Sequence, residues 1–182
     1  MLIENNEIDW NQRDPNVSMC ASKFVKTTGL IVKGNYVHHN RCPALWADIN
    51  TVSPIFEDNI VVDNFGIGID CEISYGCIIR NNTVRNNPAG ILAASSPDVQ
   101  IYGNVVENNR DYGIRLLQQG DANGIRTDHP SSQGAHVVEN NDVHDNTIVM
   151  STGYTGASRV GKTSNAIFSA TSNNGFTTSP IS

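Results

Sequence analysis

The chain has 182 residues, a formal net charge of −6 and 16% charged residues, about one domain's worth of protein. Asn occurs 23 times and Ile plus Val 34 times, against 6 Leu; β-branched residues favour strands while helices favour Leu, Ala, Glu and Lys, which argues against a helical domain. The acidic balance with scattered Lys and Arg argues against nucleic-acid binding by phosphate neutralisation, and apolar runs of only a few residues leave nothing to span a membrane.

The segment from Met1 to Asn6 has no basic stretch followed by an apolar core, so no secretory signal is expected in it. It opens a repeat instead. The pattern is apolar, two residues, Asn, one residue, Ile or Val, two residues, Asn, and it first runs from Ile3 to Asn11. Copies follow at Val32 to Asn40, Phe56 to Asn64, Ile79 to Asn87 and Ile101 to Asn109, and a sixth runs from Val138 through Asn141 and Val143 to Asn146. The first Asn of each copy stands at 6, 35, 59, 82, 104 and 141, in steps of 29, 24, 23, 22 and 37. The shorter steps suit a coil of three short strands and three turns and are too short for a helix pair; a leucine-rich repeat lacks its Leu framework here. The expected fold is all-β, a parallel β-helix of about six or seven coils stacked at about 4.8 Å.

Asn tolerates left-handed backbone, which suits a sharp bend, and stacked amides can hydrogen-bond from coil to coil. Asn6, Asn35, Asn59, Asn82, Asn104 and Asn141 are therefore expected to form one internal ladder, with Asn11, Asn40, Asn64, Asn87, Asn109 and Asn146 at the next corner. Alternation sorts the strands between. One strand per coil turns in Leu45/Ile69/Ile91/Ile114 and Ala47/Cys71/Ala93/Leu116, with Gly68, Gly90 and Gly113 read as turns entering it. Another turns in Leu30/Pro54/Cys77/Val99 and Val32/Phe56/Ile79/Ile101. The last supplies Ile8/Val37/Val61/Val84/Val106/Val143.

Two segments break the period: a loop from Asn11 to Thr28 with a strand near Ser22 to Val25, and an insertion at about 119–135 that reads as a surface loop. Residues 1–150 form the repeat domain. Residues 151–182 are Ser/Thr/Gly-rich, a last coil or cap with a weak strand at Ala166 to Phe168. Cys20, Cys42, Cys71 and Cys77 lack metal-site spacing and read as small core residues rather than bridges; Cys20 and Cys42 are the pair expected if a bridge forms. Open strand edges at the two ends of such a solenoid invite end-to-end self-association.

The alternation of Asn-x-Val-x-x-Asn with Gly-Ile strands resembles the right-handed parallel β-helix proteins of the pectate lyase-like superfamily. Lys23-Phe24-Val25, Gly34-Asn35-Tyr36-Val37-His38, Leu45-Trp46-Ala47-Asp48-Ile49 and Glu72-Ile73-Ser74-Tyr75 look like segments of secreted bacterial members. The resemblance implies a right-handed coil and an extracellular, polysaccharide-facing role. It implies no single activity, because that superfamily holds lyases, hydrolases, epimerases, tailspikes and adhesins.

Chemistry is expected on the outward positions of the Trp46 strand. Trp46, Asp70, Leu92 and Arg115 form one outward column, with Lys23 below, and Asp48, Glu72, Ala94 and Leu117 form the next. Carboxylates this close on one exposed face destabilise it unless something compensates. Three arrangements compete. Asp48, Asp70 and Glu72 share a proton as an acid/base set, as in glycosidases; or they hold Ca²⁺ while Arg115 or Lys23 abstracts a proton, as in calcium-dependent uronate lyases; or they pair with Lys23 and Arg115 and do nothing more. Trp46 is a candidate sugar platform, and Tyr75 a weaker one. His38 and His144 occupy one repeat position, His39 points away from His38, and His129 and His136 read as solvated loop residues. The leading function is a carbohydrate-interacting β-helix, a lyase, hydrolase or epimerase on acidic glycans. The alternative is a non-enzymatic structural, adhesion or tailspike-like module.

Overall fold

The computed structural model describes residues 1–11, 22–120 and 125–149, together with the backbone strands Ile167–Ser169 and Thr177–Thr178. It is a parallel β-helix with no helical segment among the described residues. Three parallel sheets wrap one core. Sheet A stacks Leu2–Glu4, Ile31–Lys33, Ile55–Glu57, Ile78–Arg80, Gln100–Tyr102, Asp142–His144 and Thr177–Thr178. Sheet B stacks Glu7–Asp9, Tyr36–His38, Ile60–Val62, Thr83–Arg85, Val105–Glu107 and Thr147–Val149. Sheet C stacks Lys23–Val25, Leu45–Asp48, Ile67–Glu72, Ala89–Ala94, Ile114–Leu117 and Ile167–Ser169. Four coils between Ile31 and Leu117 run with every connection described, fewer than the six or seven expected; the outer coils contribute strands whose connections fall partly outside the described residues.

The inward columns are those read from alternation. Leu45, Ile69, Ile91 and Ile114 lie in register and are fully buried, as are Val32, Phe56, Ile79 and Ile101 and the smaller Val37, Val61, Val84 and Val106. Each such side chain contributes about 1.5–3 kcal/mol on burial, and the stack repeats that gain once per coil on each sheet.

Side-chain amides close the corners. Asn35, Asn59, Asn82 and Asn104 are each 1% exposed, and each carboxamide oxygen accepts both the backbone N–H and the Nδ2–H of the ladder Asn one coil below. A second ladder runs Asn11, Asn40, Asn64, Asn87, Asn109. The left-handed residue at each corner is the one before the ladder Asn: Asn5, Gly34, Asp58, Asn81, Gly103 and Asp145 between sheets A and B, and Trp10, His39, Asp63, Asn86 and Asn108 between sheets B and C. One residue turns the chain and the next turns its amide inward, so the bend and the ladder are separate tasks.

Several expectations are corrected. The residue above Asn104 is Asn146, not Asn141. Asn141 sits at the third corner, where it accepts from the Val99 N–H and donates to Ser96 O, above the Ser96 hydroxyl that accepts from the Ser74 N–H. Val143 accordingly pairs with Ile101 and Ile148 with Val106. Cys71 and Cys77 are joined by a disulfide across that corner, with Cα atoms 6.7 Å apart, in place of serving as separate core thiols; Cys20 lies outside the described residues. Gly68 and Gly90 lie inside strands of sheet C rather than in turns. A Cβ on Gly90 would stand 2.2 Å from Gly113 O and 2.9 Å from Val106 Cγ1, so close backbone approach selects glycine there.

Candidate functional site

The outer face of sheet C carries the expected columns. Lys23 pairs with Trp46, Trp46 with Asp70, Asp70 with Leu92 and Leu92 with Arg115. In the next column Val25 pairs with Asp48, and Glu72 with Ala94. Strand register alone brings these side chains onto one face, because residues two apart on a strand share a side.

Their contacts differ from a cluster of three mutually facing carboxylates. Asp48 Oδ2 lies 2.5 Å from Lys23 Nζ, and its Oδ1 accepts the Ile49 N–H at 2.7 Å. Lys23 Nζ also stands 3.6 Å above the centre of the Trp46 ring, so a cation holds the aromatic face that was expected to receive a sugar. Glu72 turns to Arg126, 3.1 Å away, whose guanidinium also reaches Gln119 Oε1 at 2.7 Å and Asp128 Oδ1 at 2.9 Å. Arg115 stacks on Tyr112, with Cζ 5.7 Å from the ring centre. Ligand atoms of Asp48, Asp70 and Glu72 do not all converge within 4.8 Å of one another, so the calcium alternative among the three arrangements is not assembled. Asp48 and Glu72 each face a cation instead.

Asp70 stands out. It is 3% exposed, and its Oδ1 is buried without a hydrogen bond to any described residue. Burial pushes its carboxyl well above the usual carboxylate range, and repulsion from Glu72 and Asp48 adds to that, with Lys23 opposing. Desolvation and two neighbouring carboxylates both favour the protonated form of an acid. Trp46 Nε1 beside it is likewise buried without a described partner.

The strands bearing the acids end in strained backbone. Ile49 and Ile73, immediately after Asp48 and Glu72, have φ of 43° and 37°, a region that β-branched residues rarely enter. Lys26 and Ser95 take the same left-handed turn after Val25 and Ala94, at φ of 53° and 48°, so the bend is a corner repeated from coil to coil with or without a carboxylate before it.

The described part of the insertion, from residue 125 onward, is docked rather than solvated. Tyr75 is buried beneath it, donating its hydroxyl to Gly134 O at 2.8 Å, with its ring 5.0 Å from that of His136; this corrects its reading as a sugar platform. His136 is also buried, and desolvation holds its imidazole below the ordinary value. Asn50 Nδ2 donates to Pro130 O at 3.3 Å. His38 and His144 do not share a repeat position: His38 lies in sheet B and His144 in sheet A, stacked on Tyr102. His39 does not point away from His38, since their Nδ1 atoms are 2.7 Å apart. Arg126, which completes the Glu72 side of the face, was visible in the sequence only as one cation in an irregular loop.

Residues 1–130 match the family described as right handed beta helix region. No curated protein sequence matches the chain. Among solved structures, the periplasmic alginate epimerase AlgG is similar over 88% of this chain and 46% of its own, at 15% identity and a TM-score of 0.55. The A-modules of the Azotobacter vinelandii mannuronan C-5 epimerases AlgE4 and AlgE6 align over 99% and 100% of this chain and 52% and 57% of theirs, at 16% and 15% identity and TM-scores of 0.46 and 0.44. The chain thus spans about half the length of each of these structures.

Proposed function

The chain belongs to the right-handed β-helix family, and from that premise we propose that it engages an acidic polysaccharide on the outer face of sheet C, with Asp70 as the proton donor. The observation that carries this reading is the Asp70 carboxyl, which is buried on an outward column and leaves an oxygen unbonded. A fold gains nothing from such a group, since an unsatisfied buried polar atom costs stability. A substrate that draws on its proton gives it a purpose.

In this reading Lys23 and Arg115, on either side of Asp70 in its column, neutralise uronate carboxylates along the glycan. Withdrawing that charge acidifies the sugar proton next to the carboxyl group, the step that lyases and epimerases share. Trp46 keeps Lys23 in place through the 3.6 Å ammonium–ring contact. The Glu72 carboxylate, partly exposed on the same face, takes that sugar proton as base, and Asp70 delivers its own proton to the glycosidic oxygen as the carbon–oxygen bond breaks, or to the same sugar carbon from the opposite side. The substrate class draws support from an alginate epimerase having the same fold. That protein's periplasmic setting and the Cys71–Cys77 disulfide fit a secreted or periplasmic location, because disulfides persist in oxidising compartments.

The test is incubation with alginate oligomers in D₂O, following both the absorbance of unsaturated product and deuterium entering the sugar ring. Wild type is expected to give one of the two signals; Asp70→Asn and the double change Asp48→Ala, Glu72→Ala are expected to lose it. If wild type gives neither signal and binds no oligouronate, the enzymatic reading fails and the solenoid is a structural module. The ion pairs already made by Asp48 and Glu72 favour that second reading.

A further inference from the structure

Away from sheet C, the outer face of sheet B gathers a different set of groups. Glu7 and Asp9 lie two residues apart on the first strand of that sheet, so both side chains leave by the same face. His38 stands in register with Asp9 on the neighbouring strand. One ligand atom from each of Glu7, Asp9 and His38 lies within 4.8 Å of the other two, the one such His/Cys/Asp/Glu convergence among the described residues. Two carboxylates on one exposed strand face repel each other unless a cation lies between them. The cationic side chains paired elsewhere on the molecule, Lys23, Lys33, Arg80 and Arg126, face other acids.

His38 has the setting of a ligand. Its side chain is only 10% exposed, and its ring packs on Tyr36 with centroids 4.2 Å apart, so its rotamer is held before any ion arrives. Its Nε2 faces Glu7 Oε1 at 3.0 Å, and its Nδ1 lies 2.7 Å from Nδ1 of His39. Two ring nitrogens that close require one to donate and the other to accept. With His39 accepting, the proton of His38 sits on Nδ1 and the Nε2 lone pair points at the carboxylates. Metal-binding histidines recur in this arrangement, their second nitrogen donating to a fixed acceptor. His39 is itself held by Trp10, stacked at 4.8 Å and 11°.

The geometry points to a site for a divalent transition-metal ion, of the chemistry of Zn²⁺, formed by His38 Nε2 with the Glu7 and Asp9 carboxylates. One imidazole and two carboxylates suit a borderline ion, and the exposed side of the cluster leaves the remaining position to water. Calcium prefers six to eight oxygens, which this set does not supply. The site is separate from the acidic face of sheet C, and it stands or falls independently of the polysaccharide reading.

Isothermal titration of the full chain with Zn²⁺ tests it. Wild type is expected to bind one ion per chain saturably, and an excess of Ca²⁺ is expected not to displace it. The double change Glu7→Gln, Asp9→Asn alters exposed side chains only and is expected to keep the native far-UV circular dichroism while weakening Zn²⁺ binding by about tenfold or more. His38→Ala is expected to weaken it at least as much. Absence of saturable binding by wild type, displacement by Ca²⁺, or undiminished binding by a natively folded double variant would each overturn the proposal. The last of these outcomes would move the ion elsewhere, for example to His144 beside Asp142 and Asp145.

Discussion

Replacing Asn82 by alanine tests whether the ladder amides hold the coils together. The Asn82 oxygen accepts the N–H and the Nδ2–H of Asn59, both at 3.0 Å, and its Nδ2 donates to Phe56 O, Arg80 O and Asn104 Oδ1 at 2.9–3.0 Å. Truncation leaves the buried Asn59 N–H without an acceptor, a loss of about 1–3 kcal/mol. The Asn59 amide and Asn104 Oδ1 keep other partners, Val32 O and the Asn82 N–H, so the remaining bonds add only about 0.5–1.5 kcal/mol each. The sum is about 4 kcal/mol, a large share of a typical domain stability of about 5–15 kcal/mol. Asn6→Ala is the control: its exposed amide donates to Glu4 O and Asn35 Oδ1, and its own N–H keeps Asn35 Oδ1 as acceptor, so about 0.5–1 kcal/mol is expected. Urea unfolding followed by far-UV circular dichroism reads both. With a slope of about 2 kcal/mol per molar, Asn82→Ala should lower the midpoint by about 2 M and Asn6→Ala by less than about 0.5 M. If the two variants shift it equally, the ladder reasoning is wrong.

Other expectations follow from single residues. Gly90→Ala places a methyl group 2.2 Å from the Gly113 carbonyl oxygen and should cost about 3 kcal/mol, whereas Gly29→Ala meets open space at φ of 61° and should cost about 1–2 kcal/mol; thermal unfolding of both variants ranks them. The folded Asp70 carboxyl titrates above its unfolded value of about 3.9. The folded state therefore binds more protons in that window, and stability falls as pH rises through it. Asp70→Asn should accordingly be more stable than wild type at neutral pH and lose that advantage below about pH 4, and a constant difference across pH would count against a buried acid. Arg126→Ala removes the link from the inserted loop to Glu72 and Gln119, and limited proteolysis should then cut within 119–135 faster than in wild type.

The fold was legible because the solenoid repeats one local solution. The columns Leu45/Ile69/Ile91/Ile114 and Trp46/Asp70/Leu92/Arg115 follow from strand alternation once the coil length is known, and the backbone pairing matches them residue for residue. The slip came at Asn141. A left-handed residue followed by an inward amide closes every Asn corner, and Asn140–Asn141 repeats that pair, so the motif matched at the third corner as well as at the first. With the insertion lengthening the step to 37 residues, sequence spacing no longer said which corner was meant. The disulfide was hidden for a similar reason. Cys71 lies inward on a sheet C strand and Cys77, also buried, just before the next sheet A strand, and only the path of the corner between them brings their sulfurs together.

The candidate site was half legible. Which side chains share the outer face of sheet C follows from alternation, but whether the acids meet each other or their own cations depends on side chains leaning along the sheet and on a loop far away in sequence. Lys23 reaches diagonally past Trp46 to Asp48, and Arg126 arrives at Glu72 from the insertion. These two neutralisations leave Asp70 as the one acid of the three recorded without an ion pair among the described residues. That difference separates it from a structural ion pair. Asp48 and Glu72 are paired with cations by the fold itself, whereas burial and both neighbouring acids push the Asp70 carboxyl toward its neutral form. A buried acid whose surroundings favour its neutral form is the place where substitution separates stability from activity. Asp70→Asn should raise the first and abolish the second, and a variant that loses both would assign this face to the scaffold alone.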